Sequence, residues 1–209
     1  MKYVQMELFL LIVMKMKNKD QLNIIISGIG GQGVFSITQV VWNLCAKYNF
    51  KCQGATFKGG AQKAGSIYSE IRIFTKENSE TNHFSNQIRK GTLDLIIGLE
   101  PWETLRYYEY FNPQTKAIVN TAKETFFIER LKKEKIGNPL ETINGVLSTV
   151  RALDYTDMAK KEFNDIRMLN YLMLIEAINL GYLPFELEDA KSEFISIIKP
   201  NKVILTKLN

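Results

Sequence analysis

A short apolar run at residues 22–27 (LNIIIS) leads straight into Gly28-Ile29-Gly30-Gly31-Gln32-Gly33, and apolar positions then recur at Val34, Ile37, Val41, Leu44 and Cys45. The run is continuous, not alternating, as expected for a strand buried on both faces of a parallel sheet. The later spacing is that of one helix face. Strand, glycine turn and helix in this order predict a Rossmann-like start. The glycines allow a tight turn and close approach of an anion to free helix amides. They serve equally to pack the helix tightly on the sheet.

The pattern continues along the chain. A second strand is expected at residues 50–53, and residues 54–66 (GATFKGGAQKAGS) read as a loop because small and polar residues dominate. Ile67, Ile71 and Ile73 share one face of a third strand, with Tyr68, Glu70 and Arg72 on the other. Residues 93–99 (LDLIIGL) form another buried strand, with Pro101 placed for a first helical position. Residues 117–120 and 147–153 are further strands, an amphipathic helix starts at Asp154, and residues 121–145 fit no element. Residues 166–180 form a helix closed by Gly181, and 186–198 another. Strands alternating with helices predict a three-layer α/β/α sandwich with a mostly parallel, mixed central sheet.

With 209 residues, 45% hydrophobic and 23% charged, the chain has material for one domain with a real core. That domain is read as residues 21–209, preceded by an extension at 1–20. The apolar stretch at residues 8–14 is too short to span a bilayer and no A-x-A-like cleavage site follows it, so no membrane association is expected. A start at Met16 would give the ordinary opening MKNKDQLNIIISG. The net charge of +5 permits an acidic partner, but the cations are dispersed and no nucleic-acid module is present. The two cysteines, Cys45 and Cys52, cannot hold an iron–sulfur cluster or build a disulfide framework, which points to a reducing, cytoplasmic setting. Cys45 falls on the buried helical stripe. His83, the single histidine, rules out a multi-histidine metal site and lies in a polar stretch.

The glycine motif makes a poor dinucleotide site. A ribose-binding acid is expected about 20 residues after the loop, yet no Asp or Glu occurs between Gln21 and Ser69, and Cys52, Gln53 and Gly54 stand in the relevant place. The same stretch carries Lys47, Lys51, Lys58 and Lys63, a positive surface for a phosphate or an acidic subunit, or a solvated face. A second loop, Lys58-Gly59-Gly60-Ala61-Gln62-Lys63-Ala64-Gly65-Ser66, is rich enough in small residues to let a ligand or another chain approach its backbone. Trp102, Tyr107, Tyr108, Tyr110 and Phe111 make an aromatic-rich helix suited partly to the core and partly to a subunit interface.

Several segments, in order, resemble the gamma subunit or domain of 2-oxoacid:ferredoxin oxidoreductases, with the indolepyruvate branch closest. Residues 26–34 (ISGIGGQGV) are similar to that family's opening strand and loop, and 61–73 (AQKAGSIYSEIRI) to its A/S-Q-R-G-G-S-V-x-S-x-V-R-I segment. Residues 98–106 (GLEPWETLR), 111–121 (FNPQTKAIVNT) and 165–184 resemble later segments. Lys63-Ala64 replaces the family's usual Arg-Gly, and Lys offers a point charge where Arg offers a fork.

The resemblance implies a subunit that carries no cofactor itself. Its partner would hold thiamine diphosphate and iron–sulfur clusters, decarboxylate a 2-oxo acid, reduce ferredoxin and leave acyl-CoA. No thiamine-diphosphate signature is present in this chain. The candidate site residues are Gly28, Gly30, Gly31, Gln32 and Gly33 with Lys58, Gln62, Lys63, Gly65 and Ser66, acting as an anion or interface surface. Both loops are expected at one rim of the sheet. The alternatives are an autonomous nucleotide-binding protein using the 28–33 loop, and a pure interaction scaffold.

Overall fold

The computed structural model describes residues 21–59, 65–74, 87–122, 137–200 and 202–208. The chain order is β1 (Gln21–Ile29), α1 (Val34–Lys47), β2 (Lys51–Lys58), β3 (Ser66–Phe74), β4 (Leu95–Gly98), α2 (Pro101–Leu105), a 3-10 turn (Tyr108–Tyr110), β5 (Lys116–Asn120), α3 (Pro139–Val146), β6 (Thr149–Leu153), α4 (Tyr155–Phe163), α5 (Met168–Asn179), α6 (Leu187–Ile198) and α7 (Lys202–Leu208). Among the described residues the six strands form one sheet in the order β2-β3-β1-β4-β5-β6. β1, β4, β5 and β6 pair in parallel, while β3 runs antiparallel to both β1 and β2. Five strands therefore point one way and β3 alone opposes them, giving the mixed sheet expected from the sequence.

Each face of the sheet has its own core. On one side Leu22, Ile24 and Ile26 of β1 and Ile71 and Ile73 of β3 meet the stripe Val34, Ile37, Val41, Leu44 and Cys45 of α1, together with Met173 of α5 and Phe194 of α6. On the other, Ile25, Ile96 and Val119 pack with Tyr107, Phe111 and Ile143 from the α2–α3 side. Alternate residues of β1 feed the two cores, as the two-residue period of a strand requires. Full burial of a Leu, Ile or Val contributes roughly 1.5–3 kcal/mol, so this double packing is what fixes the register of β1.

The second strand departs from expectation. Residues 54–58 do not loop; they extend β2 to Lys58 and pair with β3, with Gly54 opposite Ile71. A Cβ at Gly54 would fall 2.1 Å from the carbonyl oxygen of Glu70, so glycine stands here to admit the neighbouring backbone. The aromatic segment is also not one helix. α2 is short and a 3-10 turn follows, leaving Tyr107 and Phe111 buried and Tyr108 exposed.

Pro139–Val146, beginning inside the stretch 121–145 that fitted no element, forms α3. Asn138 caps it by accepting from the Leu140 amide at 3.2 Å, and Pro139 occupies the first turn. α7 lies beyond the last expected helix and reaches the core through Ile204 and Leu208. Gly181 closes α5 at φ +69°, and Tyr182 N–H returns to the Ala177 carbonyl at 2.8 Å.

Candidate functional site

β1 delivers Gly28 and Ile29 to the carboxyl rim of the sheet. Gln32 then folds back on the strand end. Its amide donates to the Ile29 carbonyl at 3.0 Å, and its side-chain oxygen accepts from the Ile29 amide at 2.8 Å. A Cβ at Gly28 would fall 2.9 Å from that side-chain oxygen and 3.0 Å from Leu99 Cβ. Gly28 is therefore what lets Gln32 close the turn. Gly31 and Gly33 take φ of +100° and +95°, which L side chains rarely adopt. Gly33 caps α1 through its carbonyl, which accepts from Ser36 and Ile37, and the amides of Val34 and Phe35 have no partner among the described residues. They supply the partial positive charge of a helix start.

The two glycine-rich loops meet. The Gly30 amide donates to the Gly65 carbonyl at 2.9 Å, and Ile29 lies opposite Ser66 in the sheet register. β3 causes this juxtaposition, since it starts beside the end of β1. Gly59 N–H donates to the Ser66 carbonyl at 2.8 Å, which brings the exposed Lys58 to the same rim. Of the candidate residues, Gly28, Gly30, Gly31, Gln32, Gly33, Lys58, Gly65 and Ser66 share this rim; Gln62 and Lys63 lie outside the described residues, as does the single histidine, His83. The topology also bears on nucleotide binding. A ribose-binding acid comes from a second strand adjacent to the first, but here β3 separates β2 from β1.

Sequence reasoning did not single out Glu103 or Arg106, which the fold brings to the rim. The Ser66 hydroxyl donates to Glu103 Oε2 at 2.5 Å, and Arg106 Nε and Nη2 each reach a Glu103 oxygen at 3.2 Å. Glu103 is 3% exposed and so holds β3 and Arg106 together from within α2. α2 itself is placed by its neighbours. Glu100 caps it by accepting from the Glu103 amide at 2.8 Å, and Pro101 sits in its first turn. Gly98 leaves room for Thr104, whose hydroxyl would stand 1.7 Å from a Cβ there. The segment 98–106 is thus one packing device, and an acid three residues before an arginine was its readable signal.

Around this cluster, burial pushes the Tyr107 phenol up to about 12. Its ring packs 4.6 Å from Tyr68, which stacks on Phe57 at 4.8 Å. At the end of β5, Asn120 donates to the Leu99 carbonyl at 3.2 Å and to Thr156 at 2.9 Å, tying β4, β5 and α4 at the same rim.

Phe35, in the first turn of α1 directly after the glycine turn, is 53% exposed. Among the described residues no three His, Cys, Asp or Glu could hold a metal ion, and no helix is long and apolar enough to cross a membrane. The arrangement is suited to presenting backbone and charge to a ligand or another chain.

Comparison with known proteins places this architecture. The chain is 32% identical to an indolepyruvate oxidoreductase subunit IorB of Archaeoglobus fulgidus over 103 residues, 49% of this chain and 48% of that protein, so the match spans about half the length of this relative. It is 27% identical to the IorB of Methanothermobacter thermautotrophicus over 173 residues, 79% of this chain and 82% of that one. In fold it matches pyruvate oxidoreductase subunit PORC of Thermotoga maritima at a TM-score of 0.64 and 17% identity, covering 91% of this chain and 92% of that one. It also matches the 2-oxoglutarate:ferredoxin oxidoreductase of Magnetococcus marinus at 0.64 and 16%, covering 91% of this chain but 29% of that one. The sequence model for pyruvate ferredoxin/flavodoxin oxidoreductase matches residues 23–204, and the chain belongs to that family.

Proposed function

We propose that the chain is the gamma-type subunit, without a cofactor of its own, of a cytoplasmic 2-oxoacid:ferredoxin oxidoreductase of the indolepyruvate or aryl pyruvate type. Its role is to complete a catalytic partner that oxidatively decarboxylates the 2-oxo acid to acyl-CoA and reduces ferredoxin. The family match over residues 23–204 and the names of the IorB relatives support this reading. The structural observation that carries it is the Gly30–Gly65 bond, which ties the turn after β1 to the start of β3 at one rim, where Gly31, Lys58 and Phe35 are exposed. Small residues there let another backbone approach, and an exposed aromatic is the residue type that anchors interfaces.

Thiamine diphosphate and iron–sulfur clusters fit the partner, not this chain. Two cysteines and one histidine fall short of the four thiolates of a cluster. The rim of this chain would bind and shape access to the partner's active site, and Lys58 and the helix amides of α1 would favour an anionic group there.

The test is reconstitution. The chain alone should not reduce a viologen dye with indolepyruvate and coenzyme A, and the complex with its iron–sulfur partner should. Turnover by the single chain, or equal turnover by the partner without it, overturns the proposal.

A further inference from the structure

A row of aromatic rings runs from the end of β2 into the second core, and the proposed subunit function does not use it. Phe57 faces Tyr68 across the β2–β3 ladder and stacks on it, with centroids 4.8 Å and planes 16° apart. Tyr68 also meets Tyr107, which lies between α2 and the 3-10 turn, at 4.6 Å and 41°. Tyr110 stands one step further on, 6.3 Å from Tyr107. Tyr68 is half-buried, while Tyr107 is 8% exposed and belongs to the core on that side of the sheet. The Ser66–Glu103 bond holds the two segments together just beside the pair.

We infer that Tyr68 and Tyr107 are a site of oxidative cross-linking, where a one-electron oxidant joins the two rings into a dityrosine and staples β3 to the segment after α2. Tyrosyl radicals couple through the carbons ortho to the oxygen, so the reaction needs two phenols in ring contact. Phe57, the other ring against Tyr68, has no phenol, and Tyr110 is further from Tyr107 than Tyr68 is. The centroid separation of the pair is at the short end of the range for aromatic contacts. Burial of Tyr107 keeps it from meeting a tyrosine of another copy, so its coupling stays within the chain. Tyr108, 58% exposed, is the neighbouring ring open to coupling between copies. Burial does not protect Tyr107 from oxidation, because an electron can pass to the half-exposed Tyr68 ring across their contact.

The reaction consumes two equivalents of the oxidant, an oxygen-centred radical or a metal complex that accepts one electron. Each ring gives one electron to the oxidant and its phenolic proton to water. One Cε of each ring then joins the other in a C–C bond, and the hydrogen left on each joined carbon moves through solvent to its own phenol oxygen. Two electrons and two protons leave, no atom is added, and both phenols are restored.

The test uses the full chain in dilute solution with tris(bipyridine)ruthenium(II) and persulfate under visible light, which generates a one-electron oxidant. Dityrosine fluorescence should appear in the monomeric protein. Trypsin should release peptide 64–72 (AGSIYSEIR) linked to peptide 107–116 (YYEYFNPQTK), lighter by two hydrogens than their sum, with fragmentation placing the bond between Tyr68 and Tyr107. Tyr68→Phe and Tyr107→Phe each keep a ring in place, and each should abolish the monomer fluorescence; Tyr108→Phe should leave it unchanged. The inference is overturned if Tyr68→Phe keeps the monomer signal, or if the linked pair is another one. It is equally overturned if covalent dimers form while the monomer stays free of dityrosine. All these outcomes are independent of whether the chain completes an oxidoreductase.

Discussion

The side-chain nitrogen of Asn170 stands 2.1 Å from where a Cβ on Gly33 would lie, and it donates to the carbonyl of the preceding Gln32 at 3.0 Å. α5 therefore presses directly on the turn that opens α1, and glycine at position 33 is required by space as well as by its φ. Gly31, with nearly the same φ, has nothing within 4 Å of its would-be Cβ. The pair separates two effects. Gly31→Ala should cost only the strained backbone, on the order of 1–2 kcal/mol. Gly33→Ala should cost measurably more in urea unfolding, and adding Asn170→Ala should recover part of the difference. Equal costs for the two glycines would remove the steric role of Asn170.

Glu103 should matter more to stability than the arginine it binds. Glu103→Ala strips the acceptor from Ser66 and empties a buried position, which typically costs about 1–3 kcal/mol. Arg106 is about half exposed, and an exposed pair contributes under about 1 kcal/mol. Comparing urea midpoints of Glu103→Ala and Arg106→Ala tests the order; a larger loss for Arg106 would show that the cluster is organised from the surface inward.

How far the fold was legible depends on where each signal came from. The buried runs at residues 22–27 and 93–99 announced central strands because both their faces are covered, and the alternation through Tyr68, Glu70, Ile71, Arg72 and Ile73 announced β3. Gly54 misled because a glycine reads locally as a breaker, whereas here it is selected by the backbone of Glu70 in another strand. The insertion of β3 between β1 and β2 is a tertiary choice with no local signature. The same holds for the site: the glycine loops could be read, but Ser66 finds Glu103 37 positions away, and only the fold brings them together.

Gly54→Val should destabilise the β2–β3 pairing. The added Cβ meets a backbone oxygen, not a flexible side chain, so the strands must separate locally. Amide exchange should rise along β2 and the facing half of β3 while the β4–β6 region stays protected. Unchanged exchange along β2 would mean that the edge accommodates a side chain after all.

Stability should depend on pH through Glu70. Burial raises its carboxyl above the ordinary 4.5, opposed by the Ile88 amide that donates to it at 2.6 Å and by Arg72. The folded state thus holds this proton more tightly than the unfolded chain does. That contribution is complete below 4.5 and is lost as pH rises through the raised folded value. Glu70→Gln keeps an acceptor for Ile88 and removes the titration, so its stability relative to the parent should climb as pH increases from 4.5. Parallel stability curves would exclude Glu70 as the source.

Phe35→Asp should leave the melting temperature of the isolated chain nearly unchanged, since the ring is mostly in solvent. It should weaken association with the proposed catalytic partner by ten-fold or more, about 1.4 kcal/mol, as read by titration calorimetry. Undiminished affinity would move the contact surface away from the start of α1.

Among the described residues β2 and β6 are the outermost strands of the sheet, and both carry charge where a further strand would have to dock. Lys51 and Lys58 stand exposed at the two ends of β2, and Arg151 is exposed on β6 with an ion pair to Glu176 at 2.7 Å. Lysines at a sheet edge discourage another chain from extending it. This arrangement acts against runaway strand addition, by which copies of the chain would zip edge to edge into fibres.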